Sequence, residues 1–150
     1  MSKKQSIEKF LTPKKIAIAG VSANTKKFGY AIFSELKQKG FDICPINPKL
    51  EELEGIKCYK SVNEIPAEYE KLFIVTPKSA TDEIIKEAAV KGIKHIWVQQ
   101  TSQTKETGAI AKELGVDLIQ KECLFMFANP VGSIHKFHKA IWKIFGLLPK

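Results

Sequence analysis

The run Gly20-Val21-Ser22-Ala23-Asn24-Thr25-Lys26-Lys27-Phe28-Gly29 gathers residue types that suit one chemistry. Gly20 lets the backbone turn sharply. Ser22, Asn24 and Thr25 offer short polar groups, and Lys26 and Lys27 supply positive charge. A helix starting near Phe28-Gly29 would add backbone N–H groups and the positive end of its dipole. Together these fit a phosphate-bearing anion. An ordinary loop with two solvated lysines is the plainer alternative.

Two common phosphate ligands are disfavoured by spacing. A dinucleotide site needs G-x-G-x-x-G and an acid at the end of the second strand. Here Gly20 is followed by Val21 and Ser22, and the second apolar run ends in Pro45-Ile46-Asn47-Pro48 without an acid. A triphosphate loop of the form G-x-x-x-x-G-K-[ST] is also absent. The prolines around Asn47 make a stiff turn, which would either frame a nucleoside or simply end a strand. Thr76-Pro77 reads as a helix cap followed by proline at the first helical position, with Lys78 brought to the same edge. Gln99 stands where another apolar run ends. None of these strand-end segments holds Asp, Glu or His before Glu122.

These residues need elements to position them, and the sequence supplies a regular alternation. Short apolar runs at 15–20, 41–46, 72–75, 95–98 and 116–119 read as strands, with Lys57-Cys58-Tyr59 as a short edge strand. Amphipathic stretches from Phe28 to Lys39, Ser79 to Lys91 and Thr104 to Leu114 read as helices, each followed by glycine. Ser6 to Leu11 reads as a short leading helix. Nearly all-apolar strands are those of a parallel sheet covered on both faces. The expected fold is therefore α/β: a Rossmann-like, doubly wound, mainly parallel sheet of about five to six strands with helices on both faces. Ligands of such folds sit beyond the carboxyl ends of the strands, where the polar segments above fall.

Length and charge narrow the function classes. The 150 residues suit a single domain, residues 1–150, with an amphipathic helix at about 133–148. The net charge is +8, and all 24 basic residues are lysine. Residues 1–30 hold seven lysines and one acid, and residues 131–150 hold four lysines and no acid. The excess is thus local, which favours a local polyanion. The absence of arginine removes the bidentate forks of nucleic-acid readers, so a lysine-driven nucleic-acid binder is the lesser reading. No run approaches the roughly 18 apolar residues of a membrane span. Cys44, Cys58 and Cys123 have no CxxC spacing, which fits a reducing cytoplasm rather than a disulfide or zinc framework.

Catalytic machinery is not recognisable. His95 falls inside a strand, and His135 and His138 are three apart without a clear metal-ligand partner. Cys44 and Cys58 read as structural. Cys123 follows the last strand, where a thiol could take part in redox chemistry. The C-terminal segment from Ser133, with Phe137, Ile141, Ile144 and Leu148 at helical spacing, reads as a domain cap or a homo-oligomer contact.

Several segments in order resemble the small single-domain CoA-binding proteins, which are similar to the CoA-binding domain of the succinyl-CoA synthetase α subunit. They are the run from Ile16 to Ser22, Lys27-Phe28-Gly29, the run from Gly40 to Pro48, that from Gly55 to Ser61, Val75-Thr76-Pro77, Trp97-Val98-Gln99, and the stretch from Gly115 to Cys123. The resemblance covers about residues 10–125. It implies a CoA or acyl-CoA ligand whose phosphates meet Gly20, Ser22 and the following loop, with Lys27 as counter-charge. Asn47 and Pro48 would lie near the adenosine, and Thr76, Pro77 and Lys78 would line the opposite wall. The family commonly carries a glycine just after the position of Gln99, where this chain has Gln100-Thr101-Ser102. The expected function is CoA binding without catalysis of its own, the candidate residues being Gly20, Ser22, Asn24, Lys26, Lys27, Phe28, Gly29, Pro45, Asn47, Pro48, Thr76, Pro77, Lys78 and Gln99. A redox or acyl-CoA-processing protein using Cys123 is the alternative, and an NAD(P)-type or lysine-driven nucleic-acid binder a further one.

Overall fold

Alternation along each strand sends side chains to two separate cores. In the computed structural model, which describes residues 3–12 and 14–120, the strands are β1 (Lys15–Ala19), β2 (Asp42–Ile46), β3 (Glu52–Leu53), β4 (Ile56–Lys57), β5 (Lys71–Ile74), β6 (His95–Val98) and β7 (Asp117–Ile119). The helices are α1 (Lys3–Leu11), α2 (Phe28–Gln38), α3 (Lys78–Lys91) and α4 (Thr107–Glu113), with a 3-10 turn at Val62–Glu64. Five strands form one parallel sheet in the order β2-β1-β5-β6-β7, and β3 and β4 form a small antiparallel hairpin.

Ile16, Ile18, Phe73 and Trp97 point to one face, where α1 and α2 bring Ile7, Phe10, Ile32, Phe33 and Leu36. Ala17, Ala19, Leu72, Ile74, Ile96 and Val98 point to the other, where α3 and α4 bring Ile85, Ala88 and Ala111. This is the doubly wound arrangement that the apolar runs imply. Each large side chain buried here contributes about 1.5–3 kcal/mol over exposure. Trp97 is fully buried, with edge-on ring contacts to Phe10 and Phe73 at 5.5 and 6.1 Å. Lys71 is buried too, and its ammonium donates to the Thr12 carbonyl at 2.5 Å, so burial holds its pKa below the usual lysine range.

Chain order reverses at β1, which pairs with β2 on one side and β5 on the other. That is the switch point at which open α/β sheets open a crevice. The helices begin and end close to the expected positions, except that α1 starts at Lys3 rather than Ser6 and α4 at Thr107 rather than Thr104. The edge strand expected at Lys57-Cys58-Tyr59 is a hairpin ending at Lys57, followed by a bridge from Tyr59 to Ile46 of β2. Pro45 lies within β2 rather than ending it. A sheet-edge strand tolerates proline because a missing donor there breaks no inner ladder. The C-terminal helix near Ser133, with His135 and His138, and also Cys123, lie outside the described residues.

Candidate functional site

The crevice begins with two glycines packed against each other. Gly20 leaves β1 with φ +102°, a left-handed conformation that side chains disfavour. A Cβ there would also come within 2.7–2.9 Å of the Val75 and Thr76 backbone. Gly29, in the first turn of α2, sits so close that a Cβ would lie 2.1 Å from the Gly20 carbonyl oxygen. The helix therefore starts directly against the end of β1. Glycine at both positions permits that approach, much as glycines do in dinucleotide loops of different spacing.

Between them the loop ties itself with its own side chains. The Asn24 N–H donates to Ser22 Oγ at 3.0 Å, and the Lys26 N–H donates to Asn24 Oδ1 at 2.9 Å. These short turns shape the loop. At the cap of α2, Lys27 has extended backbone and no side-chain cap hydrogen bond. A helix N-terminus carries unsatisfied donors and a positive dipole end, so this one suits an anion.

The second wall comes from β2 and the turn after it. The Asn47 amide donates to the Val21 carbonyl at 2.7 Å, and its Oδ1 accepts from the Lys49 N–H at 2.7 Å. Asn47 thus welds the first loop to the second and leaves Pro48 and Lys49 at the rim. The Asn47 N–H donates to the Tyr59 carbonyl at 2.9 Å, which draws residues 59–62 alongside. The hairpin before them is latched to α2: the Tyr30 hydroxyl donates to Glu54, and Lys37 pairs with Glu54 at 3.2 Å. These two donors, Tyr30 foremost, hold the Glu54 carboxyl below the usual range.

The third wall is the start of α3. The cap position is Pro77, not Thr76, and the Thr76 hydroxyl pairs instead with that of Thr81 at 2.9 Å. Helical periodicity then brings Ala80, Ile84 and Glu87 to the crevice and turns Lys78 away. Lys78 lines a separate hollow of about 630 Å³ with Gln100, Thr104 and Lys105.

Together these walls enclose a cleft of about 900 Å³ at the carboxyl ends of β1, β2 and β5. Of the residues singled out from sequence, Gly20, Ser22, Lys27, Phe28, Gly29, Asn47, Pro48, Thr76 and Pro77 line it. Asn24, Lys26, Pro45, Lys78 and Gln99 do not. Asn24 shapes the loop, Pro45 is buried in β2, and Gln99 is 2% exposed with its N–H donated to Ile74 at 2.9 Å. Sequence reasoning missed Lys49, Lys60, Ser61 and Val62, and Thr101 and Ser102 after β6. It also missed Glu87, so the cleft is lysine-rich but holds one acid.

Chemically the cleft offers cations, hydroxyls and helix N-termini. Among the described residues that line it there is no His or Cys, and the described chain has no cluster able to hold a metal. His95 lies at the opposite, amino edge of the sheet, 3.3 Å from Asp117. Cys44 and Cys58 are buried free thiols, and burial pushes Cys44 up to about 12. No helix among the described residues is long and apolar enough to cross a membrane.

The chain is 33% identical to the α subunit of ADP-forming acetate–CoA ligase II from Pyrococcus furiosus over 129 residues, 79% of this chain and 28% of that relative. It is 37% identical to the ADP-forming acetate–CoA ligase of Methanocaldococcus jannaschii over 121 residues, 75% of this chain and 17% of that relative. The chain therefore spans less than a third of the length of these relatives. A solved structure of a conserved hypothetical protein from Pyrococcus furiosus is similar at 35% identity and a TM-score of 0.71, covering 73% of this chain and 95% of that one. The sequence model of the family described as CoA binding domain matches residues 14–129, and the chain belongs to that family.

Proposed function

We propose that this chain binds CoA or an acyl-CoA in the cleft at the carboxyl ends of β1, β2 and β5, and that it carries out no catalysis of its own. The observation that carries the reading is the abutment of Gly20 and Gly29, which brings an uncapped helix N-terminus, Ser22 and Lys27 to one wall of the cleft. A pyrophosphate there gains backbone donors, the helix dipole and a lysine counter-charge. Lys49 and Lys60 on the second wall supply further charge for a 3′-phosphate. The missing acid at the end of β2 argues against a dinucleotide with a free ribose diol. Two free buried thiols suit a cytoplasmic setting.

Calorimetric titration with CoA, dephospho-CoA and NAD tests this. CoA should bind tightest, and dephospho-CoA should bind less tightly for want of one phosphate. NAD binding better than CoA would overturn the reading.

A further inference from the structure

The cleft has a second character away from the phosphate-suited loop. Ala80, Ile84 and Glu87 stand four and three residues apart on α3, the spacing of one helical stripe, and all three line the cleft. The 3-10 turn packs against α3 and contributes Val62, and β2 contributes Ile46. Ile46, Val62 and Ile84 belong to one apolar cluster, and with Ala80 they give the cleft an apolar slot. Glu87 lies ten residues beyond the Pro77 cap, about 15 Å along the helix axis and well clear of its positive end. Its carboxylate makes no hydrogen bond or ion pair among the described residues.

A carboxylate repels phosphate and can only accept hydrogen bonds when ionised. Where the cleft's other polar lining groups are lysines, hydroxyls and the Asn47 amide, it marks where the ligand must present a donor rather than a phosphate. Among the donors of CoA, the exocyclic amino group of adenine is the one carried on a flat apolar ring. Carboxylates accept from exocyclic base amino groups in the same way elsewhere.

We propose that Glu87 is a specificity-determining residue that accepts a hydrogen bond from the 6-amino group of a purine held in the Ile46, Val62, Ala80 and Ile84 slot. The inference rests on the CoA reading above and deepens it by assigning the base-selecting group. It implies that a 6-oxo purine, whose ring nitrogen and oxygen are arranged differently, meets the carboxylate with an acceptor and is rejected.

The test is calorimetric titration of the wild-type chain and the Glu87→Gln variant with CoA and with the CoA analogue carrying hypoxanthine in place of adenine. The wild type should prefer CoA by about tenfold or more, equivalent to about 1.4 kcal/mol. The glutamine amide can present either its oxygen or its nitrogen, so the preference should fall to within about twofold in the variant. A wild-type preference below about twofold overturns the inference, as does a tenfold preference that survives in Glu87→Gln. If CoA binds tightly while the two nucleotides are indistinguishable, only the Glu87 assignment fails. If neither binds, the CoA reading fails with it. An unchanged melting temperature of the unliganded variant assigns any change to recognition rather than folding.

Discussion

At the start of α4, side chains satisfy the backbone. The Thr104 N–H donates to Thr107 Oγ1 at 2.8 Å, and the Glu106 N–H donates to Thr104 Oγ1 at 3.1 Å. Both hydroxyls donate to Asp82 of α3, at 2.6 and 2.7 Å. At the start of α2 similar short bonds form within the loop, and neither helix has a side-chain hydrogen bond at its cap residue. Ser22 and Asn24 spend their oxygens on loop N–H groups before the helix begins, and Lys27 caps it with no side-chain acceptor. One end ties two helices together through Asp82. The other is held in place by glycine contacts and faces the cleft.

The largest expected break in this contrast is Gly29→Ala. The new Cβ would lie 2.1 Å from the Gly20 oxygen, so α2 must back away from β1. Thermal melts should show a loss of about 1–3 kcal/mol. CoA affinity, measured by calorimetry, should fall by more than the loss from any lysine change. Next is Lys27→Glu, which turns an exposed attraction into a repulsion and should weaken CoA by about tenfold with an unchanged melting temperature. Unchanged affinity would remove Lys27 from the site.

Asp82→Ala should do the reverse. It strips the shared acceptor from two hydroxyls, one of them on the fully buried Thr107. Stability should fall by about 1–3 kcal/mol in a denaturant titration while CoA affinity stays within about twofold. A large affinity loss without a stability loss would show that the α4 end also serves the ligand. The smallest effect concerns Cys44, whose thiol is pushed up to about 12 by burial. Alkylation of the folded protein at pH 8 should leave Cys44 unmodified, and adding CoA should not change that.

Much of the sheet was legible because its strands are continuous apolar runs with glycine after each helix. The first loop was legible for the same local reason, since Gly20, Ser22, Lys27 and Gly29 fall within ten residues. The parts that were not legible depended on pairing across the chain. Lys60, Ser61 and Val62 reach the cleft because Tyr59 pairs with the end of β2, donating to the Pro45 carbonyl and accepting from the Asn47 N–H. Glu87 reaches it through the helical phase of α3, and the same phase turns Lys78 away. Gln99 reads as a strand-end polar group, yet its N–H continues the β5–β6 ladder and buries it.

Backbone amide chemical shifts during a CoA titration of the isotopically labelled chain test the central claim most directly. The account predicts saturable shifts at Gly20, Gly29 and Tyr30, with Glu106 and Thr107 nearly still. Shifts concentrated at Thr104 to Thr107, or none at the start of α2, would contradict it.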